Sequence, residues 1–451
     1  MHENRRYVKS GYDGYRLVMK ALLPLVAALW LAAPAPAIEI PKSEGVTEGR
    51  LYADPAGFGR AHLAFVKGRE LWTDQLAIDW SPTPKAQLPD EDARIAGVRA
   101  GAALVESRTG RWLRLYVQST RRWRAIRIAD APKRGVLGPA GLTFNRAGRP
   151  TVAYSTRDSD DRTSLWLVQV RRNGTLARTR VTRNGFPISV VPPASQPVLM
   201  PNGTLRVVQT FSQRGANAIF WRREEDRWWG RVLHASALGV TPFPIFASSP
   251  VGEEVYLAWT VAYAAQRELH LVFTSRTTRS RSVVIHRNAI AAALLFGPNG
   301  PEVAANENVA GLTAGLIFSP NIVTGILPSP PVEVDGRILG YARDSDGGVQ
   351  LLLEREGRLE WFLEPGVPTV RIILDGPLSG RVEGAAPGGV IRVYRERPGV
   401  PREVVADATI DADGRFAGTD AAPQPGTHYR FVYQRDASTF PYAYLAREPL
   451  R

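Results

Sequence analysis

GPAGLTFNRAGRPTVAYSTRDSDDRTSLWLVQVRRNGTLARTRVT, residues Gly138 to Thr182, breaks into four short strand-like runs separated by turn signals. An apolar run ends at a turn spanning Asn145 to Gly148, and PTVAY follows. A polar loop then leads into SLWLVQV, and Asn173-Gly174 turns the chain into an arginine-rich last strand. Asn-Gly between two such runs is a turn signal that sets them as neighbouring strands.

The same order recurs with drift. Ser195 to Ser236 gives QPVLM, the turn Pro201-Asn202-Gly203, TLRVVQTF, a loop SQRGAN, AIFWRR, a turn at Glu224 to Asp226, and WWGRVLH. Ser248 to Asn288 and Ala93 to Pro132 repeat it, and weaker copies occupy Gly49 to Ser81 and Val334 to Glu364. The interval Ala291 to Pro331, broken by Pro and Gly, is a candidate for one more. A period of about 40–50 residues with four strands per unit is that of a propeller blade. The expected fold is all-β: a β-propeller of six or seven blades over residues 38–365, followed by a small β-sandwich over 369–451. An array of sandwiches competes with it. A solenoid is a more distant alternative, since Trp and Tyr return once per long module rather than once per short coil.

The sandwich is read from a change of texture near Pro368. From there the chain has about seven short alternating runs cut by Gly, Pro and Asp turns, the pattern of an immunoglobulin-like or prealbumin-like domain without its disulfide. The boundary falls at residues 365–369.

The repeat, with a Trp closing its third strand, resembles secreted bacterial propellers of the sialidase-like, or BNR-repeat, kind. SDDRTSLW, Ser159 to Trp166, is similar to their Asp-box, Ser-x-Asp-x-Gly-x-Thr-Trp: Ser159, Asp161 and Trp166 match, while Thr163 and Leu165 replace Gly and Thr. The resemblance implies a structural hairpin at this point rather than a reacting group. It also directs attention to the family's early Arg-Ile-Pro motif, whose arginine helps clamp a substrate carboxylate; the nearest approach is Arg94-Ile95-Ala96.

Met19 to Ala37, MKALLPLVAALWLAAPAPA, joins one positive charge, a short apolar run and an A-P-A ending, which is how a secretory signal is built. Secretion or display at the cell surface is therefore expected, with Ile38 as the first mature residue and Met19 as the suspected true start. A retained anchor is the competing reading of this run, which is short and interrupted by Pro24 and Pro34. No second candidate span follows. The chain has no cysteine, which excludes disulfides, thiolate metal sites and cysteine nucleophiles. Its net charge is +14, and removal of residues 1–37 takes away five basic and two acidic side chains, leaving +11. Such an excess attracts acidic glycans or an envelope polyanion. Nucleic acid is not expected: it would need aromatics interleaved on a basic face, and the candidates Trp123 and Trp228 are readily core residues.

The polar loops between the second and third strands share a phase in the repeat, so a closed propeller would gather them around one mouth of its channel. They supply the candidate ligand-binding residues Glu106, Arg108, Asp158, Asp160, Asp161, Arg162, Arg214, Asn217, Tyr263, Arg267, Arg343, Asp344 and Asp346. Guanidinium groups make paired hydrogen bonds to a carboxylate, and a carboxyl group nearby could act as an acid. Solvation alone also makes such loops polar.

Asp-rich turns at Asp158 to Asp161, Asp344 to Gly347 and Asp411 to Gly414 offer oxygens to calcium but lack the twelve-residue calcium loop, and Asp-Gly is also an ordinary turn. No cofactor fingerprint or metal-ligand spacing is present, and none of the six histidines is placed as a ligand. Arginines 121, 122, 124 and 127, then 178, 180 and 183, then 279 and 281 fall in the last strand of their modules, where charge protects an exposed edge; a polyanion-binding rim is the alternative reading. The expected function is binding or scaffolding outside the cell, with an acidic glycan, another envelope polyanion or a protein as partner. A glycan-active enzyme of the sialidase or polysaccharide-lyase sort and a structural envelope component are the alternatives. The loops are short and present no isolated acid or base in an apolar setting, which argues against catalysis.

Overall fold

The computed structural model describes residues 38–46, 48–53, 61–76, 83–119, 122–182, 188–236, 238–249, 252–264, 266–274, 280–297, 300–320, 330–343, 347–365, 369–435 and 439–449. The expected signal segment lies outside them, as do Arg121, Arg183, Arg279, Asp344 and Asp346. Every regular element among the described residues is a strand.

Among the described residues, seven antiparallel blades follow one another along the chain. Blade 1 is Gly49–Ala53, Ala61–Lys67, Glu70–Leu76 and Pro84–Gln87, and blade 2 is Ala93–Arg99, Ala102–Ser107, Trp112–Gln118 and Trp123–Asp130. Blade 3 is Gly141–Phe144, Pro150–Arg157, Thr163–Val170 and Leu176–Arg180, with Val136–Leu137 also paired to its second strand. Blade 4 is Ser195–Leu199, Leu205–Ser212, Ala216–Glu224 and Arg227–Ala235; blade 5 is Phe246–Ser248, Val255–Ala262, Arg267–Thr274 and Arg281–Arg287. The Pro- and Gly-broken interval is a full blade 6: Ala289–Gly297, Gly300–Val309, Leu312–Phe318 and Val332–Val334.

Blade 7 takes Arg337–Arg343, Gly348–Arg355 and Arg358–Pro365 from the far end of the propeller and Ile38–Glu39 from its beginning. Ile38 lies opposite Trp361 and Glu39 opposite Glu360. Ile40 continues this strand into a core with Leu63, Phe65, Leu352 and Trp361, so the two ends of the propeller are fastened by both hydrogen bonds and burial. The first strands of the blades stand side by side in chain order, and that of blade 7 lies against that of blade 1. The ring is closed.

Apolar clusters fill the spaces between adjacent blades. Second strands are covered on both faces, and Ala102–Ser107 is accordingly buried at every residue. Fourth strands are half solvated, as the exposed Arg178 and Arg180 show. The first strands of blades 2, 6 and 7 each carry a bulge, between Ile95 and Gly97, Ala291 and Ala293, and Ile338 and Gly340. The bulge bends the strand toward its neighbour. Glycine fits the closest approaches, because a Cβ on Gly340 would stand 2.5 Å from Cβ of Leu51 and one on Gly97 2.9 Å from Cβ of Leu142.

Beyond Pro365 the chain forms a three-stranded sheet, Arg371–Leu374, Ser379–Glu383 and Arg415–Ala417, packed on a four-stranded one. The latter runs in the order Tyr442–Leu445, His428–Tyr433, Val390–Arg397, Val400–Thr409. Tyr442 pairs with Val334 of blade 6, so blade and sandwich share one eight-stranded sheet and one core. Buried charges flank this seam. Asp335 meets Arg402 at 2.8 Å, Arg355 at 3.0 Å and Arg430 at 3.5 Å, and Glu333 accepts from the Leu445 amide at 2.6 Å and from Arg447 at 2.8 Å.

Candidate functional site: the mouth of the central channel

All seven first strands contribute to a cavity of about 210 Å³ on the ring axis. Leu51, Ile95, Leu142, Ile245, Ala293 and Leu339 supply its apolar wall, and Arg50, Arg94, Arg99 and Glu106 its charge. Arg94 and Glu106 are directly opposed across the first two strands of blade 2. The Arg94 Nε donates to Glu106 Oε1 at 2.7 Å, while Glu106 Oε2 accepts from the Ala140 amide of blade 3 at 2.8 Å. Burial raises the Glu106 carboxyl above its usual range, against the pull of Arg94 and the Ala140 amide. For Arg94, burial opposes the charge and Glu106 outweighs it, so the guanidinium is held more firmly protonated.

Arg50 reaches across the channel. Its guanidinium sits 5.6 Å from the ring centre of Phe246 in blade 5 and donates to the Leu339 carbonyl of blade 7 at 3.2 Å. Its Nε is buried without a hydrogen-bond partner among the described residues. Burial lowers its pKa, and the nearby cations Arg94 and Arg337 lower it further while Glu48 opposes them. Glu48 stands 3.4 Å from Arg108 and 4.0 Å from Arg337. Four arginines from the neighbouring blades 7, 1 and 2 thus surround two carboxylates at this mouth. At the other end the Arg99 guanidinium covers the Tyr52 ring at 4.4 Å.

The second-to-third strand loops of blades 2, 3, 4 and 5 lie on the face that carries this mouth, as their shared phase predicts. Arg343 does not. In blade 7 Arg343 ends the first strand and Gly348 begins the second, because the fourth strand comes from Ile38–Glu39; Arg343 therefore lies on the opposite face. There Arg343 grips buried Glu302 at 2.8 and 3.0 Å, and Tyr341 donates to the same carboxylate at 2.7 Å. Asp344 and Asp346 lie outside the described residues.

Of the remaining candidates, Glu106 is in the channel wall and Arg108 reaches the mouth through Glu48. The others, Arg214 apart, are held within their loops or against the neighbouring connections. Asp158 Oδ1 accepts from the amides of Asp160 and Arg162 at 3.0 and 2.9 Å, and Asp161 takes a left-handed φ of 60° and binds Arg157 at 2.7 Å. SDDRTSLW is thus a hairpin turn followed by strand. Arg162 forms an isolated bridge with Ile188, and Asn217 donates to the Gly215 carbonyl. The Tyr263 hydroxyl bonds Ser236 and Glu268, Arg267 covers Phe243 at 5.5 Å, and Arg214 is exposed. Between blades 3, 4 and 5 the connecting segments hydrogen-bond to these loops, as Ser189 does to the Asp161 carbonyl and Val240 to that of Ala262. The loops act there as pegs for the connections. The Asp411 turn repeats the Asp158 arrangement, with Oδ1 accepting from the amides of Asp413 and Arg415.

Arg50, Arg94 and Arg337 stand at or next to the starts of inner strands rather than in the polar loops. A signal for two of them is present in the sequence: Arg94-Ile95-Ala96-Gly97 and Arg337-Ile338-Leu339-Gly340 share Arg-Ile-x-Gly, and both glycines follow a bulge.

No known family's sequence profile matches the chain, and no curated protein does. Among solved structures it is similar to virginiamycin B lyase from Staphylococcus aureus, at 10% identity and a TM-score of 0.47 over 72% of this chain and 97% of that one. It is also similar to the SapL1 lectin in complex with alpha methyl fucoside, at 11% identity and 0.43 over 65% and 97%, and to a six-bladed Aleuria aurantia lectin, at 11% and 0.36 over 73% and 99%. At these scores the likeness bears on neither chemistry nor ligand.

Proposed function

We propose that the protein is a binding propeller that takes an anionic group, the carboxylate of an acidic glycan, at the arginine-rich mouth of its channel. The observation that carries this reading is the orphaned Nε of Arg50, buried among Arg94, Arg337 and Glu48 with no partner among the described residues. A buried donor without an acceptor costs about 1–3 kcal/mol, and an oxygen anion would supply the acceptor. The cavity is below the roughly 300–1,000 Å³ of a drug-sized pocket, so it suits the acidic end of a chain rather than several whole sugars.

The basic surface and the A-P-A ending before Ile38 support a role outside the cytoplasm. The three-plus-four strand sandwich supports an immunoglobulin-like assignment for residues 369–451.

One observation favours a second reading, a glycan-active enzyme: burial shifts the Glu106 carboxyl upward beside a cationic clamp, the direction a general acid needs. Incubating the purified protein with sialylated and uronic-acid oligosaccharides separates the two. Mass spectrometry will find the glycans intact and retained if the binding reading holds, and shortened products if the catalytic one does.

A further inference from the structure

A second cavity, of about 330 Å³, opens between blades 4 and 5 away from the ring axis. Its floor is Phe220 with the Arg206 guanidinium 5.4 Å from the ring centre, a contact that fixes a cation beneath an open space. One wall is built by a cross-strand pair, Arg222 opposite Trp229. Glu253 and Thr274 of blade 5 line the cleft as well. Trp229 is 55% exposed, although its indole belongs to a concave site where apolar surface is readily covered. Its neighbour Gly230 leaves the reverse face of the strand flat, and Trp221 packs there, 2.8 Å from where a Cβ would lie. The strand is thereby backed by a buried ring and offers a rigid platform.

The charges are graded. Arg222 pairs with Glu224 at 2.7 Å and stays 40% exposed, while Arg206 is 3.7 Å from Glu253 and largely covered. With Arg231 also lining the cleft, arginines outnumber carboxylates by three to two. An apolar plate beside an accessible guanidinium matches a ligand that is flat and apolar on one face and anionic at one edge. A pyranose ring carrying a carboxylate has that form: its axial C–H bonds cover the indole and its carboxylate meets the fork of Arg222.

We infer that this interblade cleft is a second ligand site, separate from the channel, that binds a hexuronic acid residue between Trp229 and Arg222. The volume, at the lower end of the ligand-pocket range, admits one or two sugar rings.

Calorimetric titration of the whole protein with tri-galacturonic acid tests the inference, using Trp229→Ala, Arg222→Gln and the channel variant Arg94→Lys. Trp229→Ala and Arg222→Gln are each expected to weaken one class of binding by about tenfold or more, with melting curves like that of the parent. Arg94→Lys leaves that class in place, and neutral tri-galactose binds it at least about tenfold more weakly. Unchanged titrations for both cleft variants would overturn the inference, as would equal affinity for the neutral trisaccharide. Loss of all binding in Arg94→Lys alone would also overturn it, by assigning every event to the channel.

Discussion

At the level of single residues, the buried carboxylates fall into two electrostatic kinds. Burial works to raise Asp335, but Arg430, Arg355 and Arg402 outweigh it and hold the carboxyl below its usual range. Burial wins at Glu333, whose carboxyl is pushed up from 4.5 to about 7 despite Arg447, Arg430 and the Leu445 amide. Between those two values the folded protein keeps a proton that the unfolded chain has lost. The Glu333 contribution is therefore complete below pH 4.5 and is lost as the pH rises to 7, by about 3 kcal/mol. Glu333→Gln keeps an acceptor for the Leu445 amide and removes the titration. Urea unfolding from pH 4.5 to 7.5 should show a smaller fall in stability for this variant than for the parent; equal slopes would mean that Glu333 does not titrate in this window. None of this was legible in the sequence, because Glu333 and Arg447 are 114 positions apart and meet only when Tyr442–Leu445 docks on Val332–Val334.

Among the elements, the inner strands decide what the channel can hold. The bulge before Gly340 brings blade 7 onto Leu51 of blade 1, where a Cβ would also meet the Leu51 amide nitrogen at 2.9 Å. Backbone cannot swing aside as a side chain can. Gly340→Ala is thus expected to destabilise the protein by about 1–3 kcal/mol and to weaken ligand binding with it, because the same strand begins with Arg337. Denaturant midpoints and titrations on one preparation check both effects. The hairpins were readable in advance: Asn173 and Asn202 accept from the amides two positions on, and Gly174 and Gly203 take the left-handed backbone. The inner strands were readable as strands, QPVLM among them, but not as a charged channel wall. They are short and apolar, and their arginines resemble the solvated arginines of the outer edges until the ring places them inside. Arg343 was misplaced for a related reason, since a blade that borrows one strand shifts the phase of its loops.

For the molecule as a whole, the repeat period read from Gly138 to Thr182 carried the architecture, and even the Pro-broken interval obeyed it. What the period could not disclose is how the ring closes. The closing strand starts at Ile38, the residue directly after the A-P-A ending, and its anchor Ile40 is 1% exposed. Ile40→Ala should cost about 2–5 kcal/mol and make the junction of blades 7 and 1 the first to open, which hydrogen exchange at Trp361 and Phe65 would register. Protection unchanged at those amides would mean that closure does not depend on this strand. The closed ring in turn holds Arg50, Arg94 and Arg337 around one mouth, and on that convergence the functional reading rests. Its most direct test is a titration of the protein and of Arg94→Lys with a uronic-acid oligosaccharide at two salt concentrations. A lysine keeps the charge but loses the planar fork that Glu106 orients. The account predicts that high salt weakens binding to the parent and that Arg94→Lys weakens channel binding by about tenfold. Channel affinity indifferent to both would contradict it.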